Sequence, residues 1–260
     1  MTPVILYAVA LERISVEPLA PAGFLAGIKG YDRDSARAFL RAQPGFIGRR
    51  LALEEAKELK AAALGAGFET VLAAETDIPA LPPSLKVAKI EFKDAGFSAE
   101  AGGAVQLVAF EAVSLFTAAA FDAPVPPVSL DAIKKDSIFE KIMALAGEPP
   151  FEPVTEAGAK ETFFRAYIIA ERGQLRLLLE PESMDFSPLG PGRSHSSLIN
   201  FRELLKRLSA ACPKAVKNAF LPAFLAGKPL AQLKLAGAEA CDTELSRLLL
   251  VTPQTKQDPA

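Results

Sequence analysis

A chain of 260 residues, half of them hydrophobic and 23% charged, has the length and apolar content to bury one to three cores, which excludes a disordered chain. Its formal net charge of -2 provides no overall field toward nucleic acid or an anionic membrane, so neither is an expected partner. Cys212 and Cys241 are too few for a disulfide framework and read as reduced thiols of a cytoplasmic protein.

The opening MTPVILYAVALER lacks the basic start and long apolar run of a signal peptide, and Val4 to Val9 reads as a buried strand. PLAPAGFLAGIKG follows as a short apolar helix with Gly30 near its end. Asp32 is placed to cap a second helix, RDSARAFLRAQ, in which Ala36, Phe39 and Leu40 share one face and Arg33, Arg37 and Arg41 another. Pro44 and Gly45 stop it. LEEAKELKAAALGAG has acids in its first turn and glycines at its end, as expected of a third helix, and FETVLAAE alternates as a strand. Residues 1–78 are therefore expected to form a strand-helix-helix-helix-strand module.

Several features recur in YDRDSARAFLRAQPGFIGRRLALEEAKELKAAALGAGFETVLA: the helix with Ala36, Phe39 and Leu40, the Pro44 break, the Glu55 to Leu59 helix with its alanine-rich end, and Gly67 before a strand. In these, residues about 4–75 resemble the C-terminal domain of the bacterial ribosomal stalk protein and the similarly folded Clp-protease adaptor family. The resemblance implies a small α/β fold that binds proteins. Stalk domains contact translation GTPases through a lysine-rich helix face and a Gly-Leu-Gly turn; this chain has Lys29, then Gly30-Tyr31-Asp32, then Arg33 and Arg37, keeping the charge without the glycine pair. Clp adaptors hold an N-terminal amine with acidic, amide and histidine side chains, and this module contains no histidine. Lys29, Arg33, Arg37 and Arg41 are the candidate partner-binding residues.

DIPALPPS supplies a proline-rich linker, centred on residues 79–84. KVAKIEFK then alternates as a half-buried strand, Asp94-Ala95-Gly96 turns, and FSAEA forms a second strand. Ala101 to Phe121 carries a single charge, but Glu111 near its middle and the Gly102-Gly103 pair favour two buried strands over a membrane span. A helix is expected over 130–146, and ETFFRAYIIAERGQLRLLLE reads as a hairpin turning at Glu171 to Gln174. Residues 85–252 are thus expected to be a mainly antiparallel sheet domain with an inserted helix and C-terminal helices, followed by a polar tail at 253–260. The layout is similar to pleckstrin-homology-type sheets in architecture alone and implies no ligand.

The only histidine lies in SPLGPGRSHSSLINFRELLKRL. GRSHS has Ser196 where a Gly-x-Ser-x-Gly nucleophile elbow needs glycine, and His195, adjacent to Ser194, is badly placed to serve as its base. Two readings remain. The loop is the entrance of a helix capped by Ser196 or Ser197, with Leu198, Phe201, Leu205 and Leu208 facing the core. Alternatively the free amides there, with Arg193, Ser194, Ser196, Ser197 and Arg202, bind an anion. No Cys-x-x-Cys or His-x-x-x-His pair points to a metal, and no glycine fingerprint to a cofactor, so none is expected. Glu54-Glu55 are explained by the helix dipole. The expected protein is α+β and cytoplasmic, a non-catalytic protein-interaction or regulatory module. The alternatives are a phosphorylated-ligand-binding protein or enzyme using the Gly190 to Ser197 loop, and a translation- or RNA-associated binding protein. A protein partner is expected without its identity, and self-association is left open.

Overall fold

The computed structural model describes residues 5–13, 19–124 and 160–252. The fold is α+β, with a three-stranded and a six-stranded sheet. The chain divides into two compact units, one of residues 1–121 and 164–260 and one of residues 122–163. Of the latter, the described residues are the outer ends of two strands. The expected helix over 130–146 and the tail 253–260 lie outside the described residues.

The first sheet forms where the opening apolar segment can be covered on both faces. β1 (Tyr7–Leu11) lies between β2 (Phe46–Leu51) and β3 (Thr70–Ala74), antiparallel to both. Alternate β1 residues point to opposite sides. Val9 and Leu11 meet Leu25 of α1 (Leu19–Lys29), Ala36 of α2 (Arg33–Ala42) and Leu59 of α3 (Leu53–Gly65), while Ala8 and Ala10, with Phe46, pack with Leu250 and Val251. Asp32 caps α2 as expected, its carboxylate accepting the Ser35 and Asp34 amides at 2.8 and 2.9 Å and the Ser35 hydroxyl at 2.7 Å. Those bonds hold its carboxyl below the usual range.

β2 was not expected between the second and third helices. Its pattern breaks after Gly48, and Arg49 and Arg50 look like solvent residues. A distant acid holds them: Glu75 accepts Arg49 Nε at 2.9 Å and Nη2 at 2.7 Å, and the Arg50 amide at 2.7 Å. The Arg49 guanidinium also covers the Phe46 ring.

The second sheet contains β4 (Ser84–Phe92), β5 (Gly96–Ala101), β6 (Ala104–Ala109), β7 (Val113–Pro124), β8 (Lys160–Ala170) and β9 (Leu175–Leu179), in the order β6-β5-β4-β9-β8-β7. The expected hairpin is β8–β9, antiparallel from Ala166↔Leu179 to Ala170↔Leu175. It does not extend a simple meander. β9 enters beside β4 in parallel, through Ser84↔Arg176, Leu85↔Leu177 and Lys86↔Leu178, so the sheet is mixed. The apolar stretch 101–121 becomes β6, a short 3-10 turn and β7. Among the described residues no helix is long and apolar enough to cross a membrane.

Helices α4 (Ser197–Ala211) and α5 (Phe220–Leu225) pack in one core with Val87, Ile90, Ile168 and Leu177 of that sheet. Phe201, Leu205 and Leu208 of α4 are buried as expected. Leu198, in the first turn, is exposed instead, and Asn200 and Leu204 take buried positions; Asn200 reaches back to bond the Ser194 backbone. α6 (Ala238–Val251) touches both β1 and α2.

Gly45 turns the chain from α2 into β2 with φ of +77°, directly under the buried Arg247 side chain. A Cβ there would lie 2.2 Å from Arg247 Cδ. Gly45→Ala therefore combines left-handed backbone strain with a clash, and we expect it to lower unfolding free energy by roughly 2–4 kcal/mol in a urea titration.

Candidate functional site

The larger unit holds a cavity. Ala118 and Ala119 of β7 line it together with Leu40 of α2 and Pro44 and Gly45 just after that helix. The cavity measures about 340 Å³. Leu11, Phe220, Leu233 and Leu235 add apolar wall, Arg37, Arg41, Gln232 and Lys234 line it with polar groups, and Glu244 enters from α6.

The edges are fixed by long-range hydrogen bonds. Arg41 Nε donates to the Lys234 carbonyl at 2.8 Å, and the Ala236 amide donates to the Arg41 carbonyl at 2.9 Å, tying α2 to the segment before α6. Asn218 braces the opposite side: its amide nitrogen donates to the Ala118 carbonyl at 2.7 Å and to Glu244 Oε2 at 2.8 Å. Its amide oxygen accepts the Ala118 and Leu221 amides, both at 3.2 Å. One side chain thereby joins β7, α5 and α6.

Glu244 and Arg247 stand one turn apart on α6, both buried. Arg247 Nη1 donates to the Leu11 carbonyl at 2.9 Å. Burial pushes the Glu244 carboxyl up, with the Arg247 charge and the Asn218 amide opposing. Burial likewise brings Arg247 down to about 10, against the pull of Glu244. Each partner moves toward its neutral form, so loss of hydration outweighs their mutual attraction.

Of the four basic residues read from the sequence, Arg37 and Arg41 line the cavity. Arg33, exposed on the same face of α2, does not line it, and the Lys29 side chain lies outside the described residues. Arg193, Ser194, Ser196, Ser197 and Arg202 surround a self-contained turn. Ser196 caps α4 by accepting the Ile199 amide at 3.4 Å, the Ser194 hydroxyl accepts the Ser196 amide at 3.2 Å, and Asn200 accepts the Ser194 amide at 2.6 Å while donating to its carbonyl at 2.8 Å. The polar groups of Ser194 and Ser196 are thus engaged in opening the helix; Arg193, Ser197 and Arg202 are exposed. His195 is exposed on this turn.

Burial raises the thiol of Cys212 and pushes that of Cys241 up to about 12, which keeps both protonated and weakly nucleophilic at neutral pH. Among the described residues no cluster of histidine, cysteine, aspartate and glutamate could hold a metal ion. The sequence reading missed Asn218, Leu235 and Glu244. Its available signal was a single acid and a single base, Glu244 and Arg247, set in the apolar run of ELSRLLLV.

Two substitutions test these networks. Because its folded pKa is raised, the Glu244 contribution is complete below the ordinary value of 4.5 and is lost as pH climbs through the folded value. Glu244→Gln cannot ionise and keeps an acceptor for Asn218, so its stability relative to the native protein should rise with pH above 4.5, around whatever constant offset comes from leaving Arg247 alone. Melts of both proteins across pH read that slope. Asn200→Ala removes the clamp on Ser194 and should cost about 1–3 kcal/mol, with hydrogen exchange speeding at the start of α4.

Compared with protein-family models, curated proteins and solved structures, the chain finds no match.

Proposed function

We propose that this chain is a non-catalytic binding protein, a cytoplasmic regulatory or interaction module whose ligand site is the cavity between α2 and β7. The observation that carries the reading is a 340 Å³ space with apolar walls and a few convergent polar groups, at the small end of the range usual for ligand pockets. A catalytic reading finds less support: His195, on the α4 entrance loop, is not part of the cavity lining, and the thiols are held protonated. Protein binding enters through the basic face of α2. Arg33, Arg37 and Arg41 are exposed there, in the part of the chain that resembles stalk and adaptor domains. Arg37 and Arg41 belong to both the face and the cavity, so occupancy of the cavity and engagement of a partner act on the same side chains.

The test uses the intact protein and a panel of octyl compounds: octanol, octanoate, octyl phosphate and octylamine. At least one should raise the melting temperature in a saturable way. Ala119→Leu, which fills the cavity from β7, should abolish that shift while the variant still melts cooperatively. If no compound stabilises the native protein, or if Ala119→Leu responds equally, the cavity is not the ligand site.

A further inference from the structure

We infer that the ligand taken by this cavity is an amphipathic anion, a single small aliphatic body ending in a carboxylate or phosphate that is held by Arg41 with Arg37 beside it. The inference rests on reading the cavity as a ligand site.

The body of the ligand follows from the walls. Leu11, Leu40, Ala118, Ala119, Phe220 and Leu235 present aliphatic and aromatic carbon, which rewards removal of an apolar group from water. A volume of about 340 Å³ suits one short chain or compact ring system and is too small for a two-chain lipid.

The head follows from the charges. Arg41 is exposed and has no ion-pair partner among the described residues. Its Nε is bonded to the Lys234 carbonyl at 2.8 Å, which fixes one edge of the guanidinium and leaves the two terminal nitrogens as a fork for an oxyanion. Arg37, one turn earlier, is paired with Asp34 at 3.1 Å, but the two side chains are 48% and 90% exposed, so water and salt screen that pair and a ligand can compete for Arg37.

A cationic ligand would need the carboxylate of the lining, Glu244. That group already accepts the Asn218 amide at 2.8 Å, and its burial favours the neutral carboxyl, so it offers little charge to a cation. Among the described residues no acid is paired with Arg41.

The decisive measurement is calorimetric titration of the intact protein with octanoate, octyl phosphate, octanol and octylamine, at low and high salt. Octanoate or octyl phosphate should bind at least about tenfold tighter than octanol, and the advantage should shrink in high salt. The preferred head group tells a carboxylate ligand from a phosphate ester. Arg41→Ala, which also gives up the bond to the Lys234 carbonyl, should remove roughly tenfold more affinity from the anions than from octanol; Arg37→Ala, at a more exposed position, should show a smaller difference in the same direction. Equal binding of octanol, or tighter binding of octylamine, overturns the anionic head while the cavity remains a ligand site. If none of the four binds, the cavity reading falls and this inference falls with it.

Discussion

The buried charges of α6 are the constraint on which the larger unit depends. Glu244 and Arg247 leave water together, and each is answered by a group on a different element: Asn218 for the acid, and the Leu11 carbonyl on β1 for the base. Removing one member of such a set leaves the other buried without compensation, which in comparable proteins costs about 3–5 kcal/mol. The same helix bonds Asp242 to Arg176 on β9 and packs Leu250 and Val251 against Ala8, Ala10 and Phe46. A single fourteen-residue helix therefore contacts both the three-stranded sheet and the six-stranded one.

The cavity lies beside that arrangement. α6 is bonded to β1 through Arg247 and, through Glu244 and Asn218, to β7, and residues of α2, β7 and α6 line the same space. Well-packed interiors contain few voids of this size, and those lined partly by polar groups are commonly where ligands enter. The hydrogen bonds from Arg41 and Ala236 tie α2 to the segment leading into α6 at the edge of the cavity, so a ligand held at Arg41 would bear directly on both. In the proposed function this is the route by which occupancy would reach the basic face of α2.

Much of the local structure was legible in the residues. Asp32 signalled the start of α2, Ser196 that of α4, and two β-rich runs around Glu171 to Gln174 announced a hairpin, because caps, turns and strand propensity depend on neighbours within a few positions. β2 was illegible because its two arginines are held by Glu75, about twenty-five residues further along. The parallel placement of β9 beside β4 was equally hidden, since nothing in either strand names its neighbour. At the site, Arg37 and Arg41 were visible as one helix face, yet their meeting with Ala118, Ala119 and Glu244 depends on contacts spanning much of the chain.

By itself the sequence determined the α+β class, the helices α1 to α3, the start of α4 and the β8–β9 hairpin, all of which follow from composition and short-range pattern. Only the tertiary structure decided that α6 carries a buried acid and base, that the alanines of β7 wall a cavity, and that two arginines of α2 stand beside it. The physical reason is distance along the chain. Burial, charge compensation and empty volume belong to no residue alone; they arise when segments a hundred or more residues apart compete for the same space and the same hydrogen bonds.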